Sequence, residues 1–199
     1  MGVDPSTGLY HVADAHGNPS LSPNFSTDVT VTIDPSQRFH GGIQNTLAYK
    51  GWQLDFLIQF TQQVSYNDFG PTGYYPGYFS PSNPNGNQPD IVLARWQKQG
   101  DNSVIQRYST QPLWQSTGNA SFSNVMFADA SYARIKNLFL SWQLPETWKK
   151  RARLQSCRIY AQGQNLFTIT SYKGLDPETG SSLSLPPLRV ITLGLQIGL

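Results

Sequence analysis

Apolar and polar side chains alternate along residues 52–61. Trp52, Leu54, Phe56, Ile58 and Phe60 share one parity and Gln53, Asp55, Gln59 and Thr61 the other, with Leu57 the exception. A strand points successive side chains to opposite faces, whereas a helix would scatter these residues around its circumference. The stretch therefore predicts a strand with one greasy and one polar face. A looser alternation precedes it, with Phe39, Ile43, Leu47 and Tyr49 against His40, Gln44, Thr46 and Lys50. Lys50-Gly51 between the two predicts a tight hairpin. A third stretch carries Leu138, Leu140, Trp142 and Leu144 opposite a mixed face of Asn137, Phe139, Ser141 and Gln143, and Pro145 stops it. In the fourth, Ile159, Ala161 and Gly163 oppose Arg158, Tyr160, Gln162 and Gln164. In the fifth, Ile191, Leu193, Leu195, Ile197 and Leu199 oppose Thr192, Gly194, Gln196 and Gly198.

These five stretches (about 38–50, 51–64, 131–144, 156–169 and 188–199) are long for globular strands and suit tilted strands that cross a membrane. Their polar faces carry Gln, Thr, Ser, Gly and Asn rather than Lys and Glu, which suits a hydrated lumen. The connections alternate short and long. A tight turn follows the first strand and roughly 65 residues follow the second; about ten follow the third and about 18 the fourth. Barrels of the outer membrane have short periplasmic turns and long external loops. That rule puts Lys50-Gly51 and Pro145–Leu154 in the periplasm, and residues 1–37, 65–130 and 170–187 outside. The reading is all-β: an antiparallel transmembrane β-barrel segment of about five long strands with long extracellular loops.

Composition narrows the class further. Only 13% of the 199 residues are charged and another 13% are aromatic, a balance unlike that of a cytosolic helical enzyme. A net charge of +2 gives no electrostatic footprint for nucleic acid. The one basic cluster, Lys149, Lys150, Arg151 and Arg153, is read as a solvated turn rather than a phosphate-binding patch. Cys157 is alone and lies in a strand pattern, which favours burial or lipid contact over nucleophilic use. No run of 18 apolar residues predicts a transmembrane helix, and Met1–Pro5 has neither the basic nor the apolar region of a signal peptide. An export signal is therefore expected on sequence outside this chain, which would make the chain a fragment.

No catalytic, cofactor or metal constellation emerges. His11 and His16 flank Asp14 in a Gly/Asn-rich loop without metal-site spacing, and Asp14–Asn18 predicts a plain β-turn rather than a calcium loop. Asp176-Pro177-Glu178 is read as an Asp-Pro turn rather than a carboxylate pair for glycoside chemistry. The long loop is rich in aromatics. Tyr74, Tyr75, Tyr78, Phe79 and Trp96 are candidate external contacts, although self-packing within the loop is the simpler role. A short helical turn is expected around Ile91–Gln99.

Several motifs resemble the C-terminal part of the SusC/RagA-like, TonB-linked outer-membrane proteins. The strongest is Asp129-Ala130-Ser131-Tyr132-Ala133-Arg134-Ile135-Lys136-Asn137-Leu138. Downstream of it come Arg158-Ile159-Tyr160-Ala161-Gln162-Gly163-Gln164-Asn165-Leu166-Phe167-Thr168 and Tyr172-Lys173-Gly174-Leu175-Asp176-Pro177-Glu178. Upstream, Phe39-His40-Gly41-Gly42-Ile43-Gln44-Asn45 and Tyr49-Lys50-Gly51-Trp52-Gln53-Leu54 resemble a hairpin of the same family. The resemblance implies that residues 1–199 form the last five strands of a 22-strand barrel whose plug and TonB-contacting segment lie on the missing N-terminal part. With no catalytic or cofactor motif in the chain, neither an enzyme nor a cofactor is expected. The resemblance implies energised import of glycans or oligopeptides across a bacterial outer membrane, with a SusD-like lipoprotein as partner. On that reading Trp52, Leu54, Phe56, Ile58, Phe60, Leu138, Leu140, Trp142, Ile191, Leu193, Leu195 and Ile197 face lipid, while Gln59, Gln162 and Gln164 face the lumen. The alternatives are a soluble secreted β-sandwich that binds carbohydrate and an outer-membrane barrel with a structural or adhesive role.

Overall fold

The computed structural model describes residues 1–67, 90–110, 114–180 and 184–199, without the side chains of residues 114 and 115. The chain divides into two compact units.

The first unit gathers Met1–Pro35 with Ser65–Ala128. Three short antiparallel strands, β1 (Gly2–Val3), β2 (Tyr10–Ala13) and β3 (Pro19–Ser20), open it. A 3-10 turn at Asp90–Ala94, the helix α1 (Trp114–Ser121) and a second 3-10 turn at Asn124–Met126 complete it. These pieces close over a small apolar core of Val3, Tyr10, Val92, Ile105, Ala120 and Met126. Two of the polar groups taken inside are linked to each other. Gln106 is wholly buried, and its Oε1 accepts from Ser116 Oγ at 2.5 Å; that same Oγ accepts from the Tyr10 backbone N–H at 2.7 Å. Burying these groups unpaired would cost on the order of 1–3 kcal/mol each. The described residues of Met1–Pro35 and Ser65–Ala128 thus form one packed body with its own interior, where the sequence predicts two separate loops.

The second unit is a long antiparallel sheet in the order β4 (Gln37–Tyr49), β5 (Trp52–Tyr66), β7 (Tyr132–Gln143), β8 (Ser156–Thr170) and β9 (Val190–Gly198); a short β6 (Phe127–Asp129) also pairs with β5. The β4–β5 hairpin turns on Lys50 and Gly51, both with positive φ (46° and 85°). Two left-handed residues match the turn to the twist of the flanking strands, and glycine at the second position makes it cheap. Between β7 and β8 the chain forms a helix, α2 (Glu146–Ala152), where the sequence predicts a plain turn. Pro145 opens it, Glu146 sits in its first turn and Lys149, Lys150 and Arg151 in its last, each sign placed where the helix dipole favours it. Arg153 ends it in the left-handed conformation (φ 55°). Seven residues are too few to display a 3.6-residue period, so the pattern could not announce this helix.

Candidate functional site

Strand register decides which side chains share a face. Trp52 pairs with Trp142, Trp142 with Ile159 and Ile159 with Leu195. Leu54, Leu140, Ala161 and Leu193 form the next row, and Phe56, Leu138, Gly163 and Ile191 the one after. Ile58 and Phe60 continue the same face opposite Ile135 and Ala133. Cross-strand partners lie on one side of a sheet, so every strand residue assigned to lipid in the sequence falls on a single face. Along β9 that face is uncovered: Ile191, Leu193, Leu195 and Ile197 are 70%, 79%, 58% and 51% exposed.

The opposite face is polar and cross-linked. Near the Lys50–Gly51 end, Asp55 accepts from Thr46 Oγ1 at 2.5 Å and from Gln53 Nε2 at 2.8 Å. Arg158 reaches Ser141 Oγ at 2.8 Å and Gln53 Oε1 at 3.3 Å, and its guanidinium lies 5.0 Å from the centre of the Phe139 ring. Phe139 in turn stacks on Tyr160 at 5.5 Å. Tyr160 lies flat across Gly194, where an added Cβ would fall 2.1 Å from the ring. Any larger residue at 194 would lift the tyrosine off the wall.

Toward the other end, the same face holds a buried ion cluster. Arg134 is 2% exposed and donates through Nη2 to Asp176 at 2.5 Å, through Nη1 to Glu178 at 2.7 Å and through Nε to Thr168 Oγ1 at 2.8 Å. Lys136 Nζ meets both Glu178 oxygens at 2.7 and 2.8 Å, and Gln63 Nε2 donates to the Pro177 carbonyl. The Tyr132 ring lies 5.3 Å from the Arg134 guanidinium, and Gln59 Nε2 donates to the Tyr132 hydroxyl at 3.2 Å. Asp176-Pro177-Glu178 is therefore no plain surface turn: both carboxylates reach down to the sheet. The Arg-Ile-Lys and Asp-Pro-Glu motifs stood in the sequence, but nothing local paired them across more than forty residues.

Of the five candidate external contacts, Trp96 lies among the described residues. Trp96 packs against the core of the first unit and donates from Nε1 to the Pro5 carbonyl at 2.9 Å, while its ring fills the space above Gly8. Tyr74, Tyr75, Tyr78 and Phe79 lie outside the described residues. Asp14–Asn18 forms a tight turn, with Gly17 N–H donating to Asp14 O at 3.0 Å. Among the described residues no group of three or more His, Cys, Asp or Glu side chains could hold a metal ion. No helix there is long and apolar enough to cross a membrane, a fact that says nothing about crossing by strands.

Strands of 9 to 15 residues, antiparallel throughout and apolar on one face, define a wall segment of the kind that builds outer-membrane barrels. No protein-family model matches the chain. It is 29% identical to TonB-dependent receptor P3 of Formosa agariphila over 98% of its own length and 19% of that protein's. It is 35% identical over 79 residues to TonB-dependent receptor SusC of Bacteroides thetaiotaomicron, covering 39% of the chain and 8% of SusC. The RagAB peptide importer in its open-open state superposes with a TM-score of 0.73 at 21% identity, over 100% of this chain and 21% of that one. Its closed-closed state gives 0.72 at 23% identity, over 99% and 22%. In sequence the chain is similar to TonB-dependent receptors that include SusC, and in fold to RagAB, the SusC/RagA-like pattern of outer-membrane proteins. It spans about a fifth of the length of P3 and of the RagAB chain.

Proposed function

We propose that the chain supplies the last five strands of a TonB-dependent barrel that imports glycans or oligopeptides, with a SusD-like lipoprotein as partner and TonB engaging a part of the protein beyond these strands. One observation carries the reading: the long sheet is inside out for a protein in water. Its apolar face exposes Trp52, Leu140, Ile159, Leu193 and Leu195, while its shielded residues include Thr61, Gln63, Arg134 and Ser141. A lipid-contacting wall has that arrangement and a soluble sandwich the reverse. The apolar rows from Trp52 to Ile197 then meet lipid, and Gln59, Gln162 and Gln164 meet the lumen. Residues 1–37, 65–130 and 170–187 lie outside the cell. The ion cluster at Arg134 holds Asp176 and Glu178 of the last of these segments against the polar face of the sheet.

The test uses cells that make the whole receptor containing these strands, fed separately with mixed oligosaccharides and mixed oligopeptides. Depletion of one mixture that stops when TonB is removed is the expected result and names the substrate class. Depletion that persists without TonB, or of neither mixture, would overturn the importer reading and favour a structural or adhesive barrel.

A further inference from the structure

At the Lys50–Gly51 end of the sheet the apolar face ends in three tryptophans. Trp52 and Trp142 stack at 5.8 Å, and Trp148 of α2 meets Trp142 edge-on at 5.8 Å. The last contact fixes the position of α2, because its one aromatic residue docks on the apolar face and not on the polar one. The Gly51 carbonyl accepts from the Gln143 backbone N–H at 2.8 Å, which ties the β4–β5 turn to the same corner. Lys149 is buried and paired with Glu146 at 2.5 Å. Lys150, Arg151 and Arg153 remain exposed and form no salt bridge among the described residues.

We infer that α2 and its aromatic corner form a binding site for the headgroup of an anionic glycerophospholipid in the leaflet that borders the short turns. The inference rests on the barrel reading above. Charge complementarity selects the occupant. A lipid-facing surface that ends in indole rings places the membrane interface at the level of Trp148. Three unneutralised cations at that level face phosphate, and each such cation is worth roughly fivefold in affinity for an anionic surface. A solvated turn needs no tryptophan docked on the greasy face, and a zwitterionic lipid supplies no net charge for the cations to meet. Arginine adds a planar fork suited to phosphate oxygens.

The experiment places the whole barrel protein in bilayers carrying a trace of spin-labelled phosphatidylglycerol or spin-labelled phosphatidylcholine. The fraction of each lipid held at the protein surface is then compared. Phosphatidylglycerol should be favoured by at least the roughly fivefold of a single cation, and K150Q/R151Q/R153Q should bring the ratio close to one. The charge-conserving K150R/R151K/R153K variant should retain the preference, which separates loss of charge from loss of fold. A preference unchanged in the glutamine variant would overturn the site. So would an unchanged lipid preference accompanied by lost sedimentation with cell-wall glycan, since the cations would then serve that polymer. If neither lipid is held at the protein surface, the barrel reading itself fails.

Discussion

The two units solve opposite burial problems with one sequence. The first hides Val3, Tyr10, Ile105 and Met126 and pairs Gln106 with Ser116 beside them. The second leaves Leu193, Ile191 and Leu195 bare and shields Arg134, Asp176 and Ser141. The difference teaches that hydrophobicity alone does not locate an interior. What separates the units is where the polar groups find partners: within a closed core in one, on the face of an open sheet in the other.

The sharpest test of that contrast is Arg134→Ala in the whole barrel. It strands the Asp176 carboxylate and should cost about 3–5 kcal/mol, read as a lower unfolding midpoint and as faster amide exchange at Glu178 and Gly180. Leu193→Arg comes next, at about 2–4 kcal/mol in lipid. Thr192→Lys, on the adjoining position of the polar face, should stay within about 0.5 kcal/mol. Equal costs for the two would erase the distinction between faces. Ile105→Val should cost about 1 kcal/mol and raise amide exchange in the first unit alone, because the residue is 1% exposed in that unit's core. The smallest effect comes from acid. Asp14 and Asp28 are held below the ordinary carboxylate value of 3.8 mainly by the backbone N–H groups of Asn18 and Asn24, and Asp101 by those of Gln97 and Lys98. A lowered carboxylate adds stability above its unfolded value and loses it as pH falls through its folded value. Protection factors at Asn18, Asn24 and Gln97 should therefore hold from neutrality to about pH 4 and decline below it.

The long antiparallel strands were legible because alternation is a local signal. Trp52 to Phe60 announce their two faces within nine residues, and Lys50-Gly51 announces the turn. The ion cluster was not legible, because Arg134 and Asp176 meet only after β7 and β8 have paired. The core of the first unit was hidden for the same reason: Tyr10 and Met126 are remote in sequence, and each alone reads as an isolated apolar residue in a loop. The helix α2 escaped because its capping and charge order are visible only once a helix is assumed. Trp96 looked like a contact residue because an indole in a polar loop is conspicuous; its partners, Pro5 and Gly8, lie some ninety residues upstream.

One detail of the sheet reaches beyond stability. The ladders β5–β7 and β7–β8 both shift register near the same level, between Leu57 and Ile58 and between Ile135 and Asn137, and Asn165 on β8 takes a positive φ of 50° there. A bulge fixes how two strands are indexed, since sliding either one would strand the extra residue against a regular pair. Two in adjoining ladders act as a latch on alignment. An insertion or deletion in the connections beyond the latch would be absorbed before it reached the rows below it. The wall from Trp52 to Phe56 can thus be inherited unchanged while the segments above it diversify.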